Sequence, residues 1–130
     1  MNKRLQISLG AGLAAALVVA APHVAAQSAV AYPTKSVRLI VASGAGGGLD
    51  FVARQISPGL SEGLGQSVVV DNRAGASGSI AAELSSQAAP DGYTLMFLSA
   101  SLVVYGIVNK TRYDLYRDFA PVTQAAAAPY

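Results

Sequence analysis

Two short β-branched runs, at residues 37–41 and 68–70, each lead into a glycine-rich stretch. Each glycine-rich stretch in turn opens a segment with apolar residues at helical spacing. Val37, Leu39, Ile40 and Val41 form a run broken only by Arg38, the pattern of a strand buried on both faces. Residues 43–48, Ser-Gly-Ala-Gly-Gly-Gly, fit no regular element and read as a loop. Leu49, Val52, Ala53, Ile56, Leu60 and Leu64 then follow helical spacing, and Pro58-Gly59 predicts a kink or split near Ser57. The second run ends at Asp71, residues 73–79 form the second loop, and Ile80, Ala81, Leu84 and Ala88 mark a second helical face. Pro90-Asp91-Gly92 reads as a turn, residues 93–98 as a third strand and residues 102–108 as a short helix. The order β-α-β-α-β with short links predicts a parallel sheet with right-handed crossovers.

The charge of the chain divides unevenly. Lys3 and Arg4 precede an uncharged stretch from Leu5 to Ala21, and Val24-Ala25-Ala26 follows Pro22. Basic start, apolar middle and small-residue end predict a secretory signal over residues 1–26, with cleavage after Ala26 or, alternatively, Ala31. The net charge of +2 belongs to that segment, because seven basic residues face seven acidic ones beyond it. Residues 27–130 therefore carry no electrostatic footprint for nucleic acid. With no cysteine and a single histidine, His23 in the signal, they also offer no disulfide, no thiolate nucleophile and no His or Cys metal site.

The first glycine loop invites two readings. Glycines let backbone N–H groups approach a ligand at the positive end of the following helix, which suits a carboxylate or phosphate. Alternatively they serve only a tight turn. Two such loops at successive strand ends favour binding, because open α/β sheets hold ligands at the carboxyl ends of their strands. Asp50 falls in the first turn of the helix, a favourable place for an acid. A dinucleotide fingerprint is matched at Gly44 and Gly46, and Asp71 ends the second strand, but the third glycine position is Leu49. Gly75-Ala76-Ser77-Gly78-Ser79 lacks the last glycine of a nucleophile elbow, and residues 27–130 hold no histidine to act as base. Arg73 reads as a surface residue or a partner of Asp71 rather than a ligand contact. Tyr105, Tyr113 and Tyr116 read as core residues with surface hydroxyls.

Taken together, several stretches resemble the Bug-type substrate-binding proteins of tripartite tricarboxylate transporters. They are Tyr32-Pro33, residues 37–41, Gly46-Gly47-Gly48-Leu49-Asp50 with Val52-Ala53-Arg54, residues 64–73, Gly75-Ala76-Ser77-Gly78, residues 89–95 and residues 118–122. The chain departs from the family's usual pattern at Ala42, Ala45, Leu49, Pro58 and Ala74.

The resemblance implies a periplasmic-binding-protein-like α/β fold, with residues 27–130 as the N-terminal part of the first domain of a two-domain Venus-flytrap receptor. On this expectation the sequence is truncated, the second domain is absent, and the chain is marginally stable with weak ligand binding. It implies no enzyme and no cofactor. The implied partners are a small di- or tricarboxylate in the periplasm and the membrane permease subunits of the transporter. By position, the implied ligand contacts are Ala45, Gly46, Gly47, Gly48 and Asp50, then Gly75, Ala76, Ser77 and Gly78, with Ser99 and Ser101 after the third strand. The competing expectation is an exported α/β hydrolytic enzyme whose catalytic residues lie beyond residue 130.

Overall fold

The computed structural model describes residues 31–127. The signal segment expected over residues 1–26 lies outside them. Within them, β1 (Val37–Val41), β2 (Val68–Asn72) and β3 (Thr94–Phe97) form a parallel sheet in the order β2-β1-β3. Val37 pairs with Val68 and Arg38 with Thr94. Helices α1 (Gly48–Leu64), α2 (Ser79–Ser86) and α3 (Ala100–Val108) follow the three strands in turn. The first connection moves from the central strand to one edge and the second moves back across to the other. Crossovers of one hand that travel in opposite directions put their helices on opposite faces.

The core divides accordingly. Val37, Leu39, Val41 and Val68 pack with Ala53 of α1 on one face, joined by Leu95 and Phe97. On the other face Ala82 of α2 and Leu102 of α3 pack with Tyr113, Ala42, Met96 and Leu98. The alternation along β3 shows the period of two of a strand covered on both sides. Among the described residues no helix is long and apolar enough to cross a membrane.

Of the kink or split expected at Pro58, the split does not occur: the helix runs unbroken from Gly48 to Leu64 with the proline inside it. A proline removes one backbone donor, here the one that would bond the carbonyl of Arg54. Both Arg54 and Pro58 lie in exposed positions, so water can take that carbonyl. The buried seam of α1 is also narrower than the apolar spacing suggested. It consists of Asp50, Ala53 and Ser57, while Leu60 is exposed. Small side chains let the helix lie close to the sheet, and the buried Ser57 hydroxyl donates to the Ala53 carbonyl at 2.6 Å. The helix stops at Gly65, whose φ of 64° reverses the chain. Ser61 Oγ then accepts the N–H of Val68 at 2.9 Å and ties the helix end to the start of β2.

The lead-in to β1 is fastened at the amino end of the sheet. Tyr32 donates to the Gly92 carbonyl at 2.7 Å, and the Tyr93 hydroxyl accepts the Thr34 N–H at 2.9 Å. Lys35 Nζ sits 4.3 Å from the Tyr93 ring centre. The Tyr-Pro and Asp-Gly-Tyr stretches, far apart in sequence, thus lock onto each other.

The tyrosine expectation holds only in part. Tyr113 is a core residue, but its hydroxyl is buried, without a hydrogen-bond partner among the described residues, rather than at the surface, and Tyr116 is exposed. Leu102 and Ala82 share a buried cluster with the Tyr113 ring, whose polar tip has no hydrogen-bond partner among the described residues. Removing that tip relieves an unpaired polar group, so Tyr113→Phe is expected to raise stability by about 1 kcal/mol in urea denaturation. A loss of stability would show that the hydroxyl has a partner.

Candidate functional site

The strand order places a switch point between β1 and β3, and three loops meet at the carboxyl end of the sheet there. Backbone bonds hold them together: Arg73 N–H donates to the Val41 carbonyl at 2.9 Å, and Ala42 N–H to the Phe97 carbonyl at 3.0 Å. The second loop reaches across to the other two. A Cβ placed on Gly78 would sit 3.0 Å from Ala42 Cβ at the end of β1 and 3.6 Å from a methyl of Leu102 in α3. The sequence-derived candidates all stand at this end of the sheet: Ala45, Gly46, Gly47, Gly48 and Asp50 after β1, Gly75, Ala76, Ser77 and Gly78 after β2, and Ser99 and Ser101 after β3.

The helix starts in this cluster share one property. Gly47 caps α1, Gly78 caps α2 and Ser99 caps α3, and none supplies a side-chain hydrogen bond to its helix. Two of the caps are glycines and have no acceptor to offer. Ser99 has one, but its hydroxyl pairs with that of Ser101 at 2.6 Å. Three helix starts thus lack a side-chain hydrogen bond from their own cap residue, the partner that usually satisfies them.

The second loop is built for an unusual backbone path. From Gly75 to Gly78 the φ angles are 120°, 45°, 53° and 92°. Ala76 and Ser77 adopt the left-handed region despite carrying a Cβ, which costs about 1–2 kcal/mol each. Such strain concentrates at ligand clamps and switch segments. The turn closes through Gly78 N–H on the Gly75 carbonyl at 2.9 Å, and a right-handed helix begins directly after it.

The charged side chains nearby are already engaged. Asp50 is buried, and its carboxylate accepts the Gly46 N–H at 2.8 Å and Arg54 Nε at 2.9 Å. The hydrogen bond from Arg54 and that from Gly46 hold its pKa down to about 2, against the opposing effect of burial. Arg54 also donates to Asn72 Oδ1 at 3.2 Å, and Asn72 Nδ2 donates to the Ser43 carbonyl at 3.3 Å. Arg73 pairs with Asp71 at 3.0 Å, as its position suggested, and Arg38 binds the same carboxylate. Burial pushes the Asp71 carboxyl up, and the two guanidiniums together bring it below its usual range.

Sequence reasoning passed over Arg54 and Asn72. The spacing of Asp50 and Arg54, four residues apart on a helix, was the available signal for the first. Two surface concavities lie away from the loops, beside Arg38, Val69 and Asp71 and between α3 and residues 111–116. Among the described residues no cluster of His, Cys, Asp or Glu is arranged to hold a metal ion.

A parallel sheet with helices on both faces and glycine loops at one end is a frame that periplasmic binding proteins share with other ligand-binding α/β folds. The comparisons agree. The profile of the tripartite tricarboxylate transporter family receptor matches residues 52–130. A UPF0065 protein of Bordetella bronchiseptica is 42% identical over 124 residues, covering 91% of this chain and 37% of its own. BugT of Bordetella pertussis is 37% identical over 105 residues, covering 78% of this chain and 32% of its own. The crystal structure of a TctC solute-binding protein from Polaromonas superposes with a TM-score of 0.55 at 32% identity, over 62% of this chain and 29% of that one. The chain belongs to the TctC family of tripartite tricarboxylate transporter receptors, which includes the Bug proteins. It spans about a third of the length of the curated relatives it matches.

Proposed function

We propose that this chain belongs to a periplasmic receptor that captures a small organic carboxylate and hands it to the permease subunits of a tripartite tricarboxylate transporter. Residues 1–26 act as its export signal. The ligand carboxylate rests on the shelf formed by residues 45–50, 75–78 and 99–101, and the second domain of the receptor closes over it. The observation that carries this reading is the meeting of helix starts without side-chain caps at one end of the sheet. Their positive dipole ends, and the N–H groups that the local turns at Ser79 and Leu102 do not take, favour an anion. Arg54 and Arg73 are both committed to carboxylates of the protein, so backbone donors and ordered water do the holding. The carboxylate class is also what the family description, a receptor of tricarboxylate transporters, supports.

A thermal-shift screen of the full gene product tests it. A bound ligand at one hundred times its Kd adds about 2.7 kcal/mol to apparent stability. At least one di- or tricarboxylate is expected to raise Tm by several degrees, and its uncharged amide is expected to do nothing. No shift with any carboxylate would reject the reading.

A further inference from the structure

The loop after β1 is held from behind by a closed run of hydrogen bonds. From the carbonyl of Ser43 the run passes to Asn72 on β2, to Arg54 on α1, to the carboxylate of Asp50 and back to the N–H of Gly46. It therefore grips the loop at two points three residues apart and bolts both to regular structure. The other bonds inside the loop are local and weak: Gly47 N–H to the Gly44 carbonyl at 3.2 Å and the Ser43 hydroxyl to the same carbonyl at 3.3 Å. Gly44, Gly46 and Gly47 would otherwise leave the backbone free to wander.

We infer that Arg54 and Asn72 are positioning residues for anion binding. They touch no ligand. They fix the loop so that the first N–H groups of α1 face the shelf before a ligand arrives, and so reduce the ordering cost of binding. Arg54 has a second task. Asp50 stands in the first turn of the same helix, where an unpaired carboxylate would repel a bound anion, and Arg54 neutralises it. A planar fork can serve Asp50 and Asn72 together, whereas a lysine ammonium at that position cannot hold both in the same geometry. The inference rests on the carboxylate reading above for its purpose, though not for its geometry.

The test compares Arg54→Lys, Asn72→Ala and the double variant in the full gene product. Hydrogen exchange at the Gly46 amide and succinate affinity are both measured at pH 7. Each single variant is expected to speed Gly46 exchange about tenfold, the effect of losing one ordinary hydrogen bond. The β1 amides are expected to stay unchanged, and succinate binding to weaken about five- to tenfold. Because the contacts act as one run, the double variant is expected to do little more than the stronger single. Unchanged Gly46 exchange would overturn the inference, as would additive effects or equal acceleration in β1, which would mark general support of the fold. If the unaltered protein binds no succinate or other carboxylate, the carboxylate reading has failed. The exchange arm then still decides whether this run holds the loop.

Discussion

Gly78→Ala is expected to cost about 2–4 kcal/mol of stability, whereas Gly46→Ala, at the same kind of backbone position, costs only about 1 kcal/mol. Both glycines have positive φ, 92° and 81°, so a side chain at either is strained by the backbone alone. They differ in what a new Cβ meets. At Gly46 there is nothing within 4 Å. At Gly78 the new atom would sit 3.0 Å from Ala42 Cβ and 3.3 Å from the Ala42 carbonyl oxygen. Neither neighbour is the loose end of a flexible chain, so β1 or the second loop must move. That contact is where the second loop lies on the end of the central strand, and moving it displaces the start of α2. Urea denaturation of the two variants, read as the difference between them, isolates the contact from the backbone strain. Equal losses would mean that the loop does not lie against β1.

Asp50→Ala is expected to loosen the first loop more than any other single change, accelerating Gly46 exchange well beyond tenfold, because it removes the shared acceptor of Gly46 and Arg54 at once. The same residue gives the loop a defined pH dependence. Its pKa in the folded chain is about 2, below the ordinary value of 3.8. A depressed pKa means that the stabilisation is fully present above the unfolded value and is lost as pH falls through the folded one. The gap in denaturation midpoint between the unaltered protein and Asp50→Ala should therefore be constant from pH 7 to about pH 4.5 and shrink steadily below that. Asp71 and Asp118 also have lowered pKa values and weaken the fold in acid, but they do so equally in both proteins and drop out of the comparison. A gap that stays constant down to pH 2.5 would show that the carboxylate is not held as described.

Much of this arrangement was legible in the sequence because its elements are marked by composition. A strand buried on both faces shows as an apolar run, as β1 does, while the edge strand β2, with Val69 exposed, is marked instead by its β-branched run. The glycines identified both loops, and alternating strands and helices implied the parallel sheet. What escaped depends on neighbours that composition does not name. Pro58 suggested a kink or split in α1, and it does not split the helix; spacing alone does not reveal that the lost hydrogen bond falls on the solvent side. Tyr113 was expected to present its hydroxyl to water, but residues 109–120 carry no periodicity from which its burial could be read. Asn72 looked like any polar residue at a strand end. Only the parallel register that sets it opposite Val41 brings it within reach of Ser43 and Arg54. Ser99 and Ser101 stand at the expected place, but that their hydroxyls would pair with each other was not readable from their spacing.

The measurement that tests the central claim most directly is an amide chemical-shift titration of the 15N-labelled full gene product with succinate, citrate and their uncharged amides. The account predicts saturable shifts with at least one acid, concentrated at residues 44–50, 75–79 and 99–102, and none with the amides. Saturable shifts centred elsewhere, beside Arg38 and Asp71 or on the exposed residues of α3, would contradict it, as would the absence of any response.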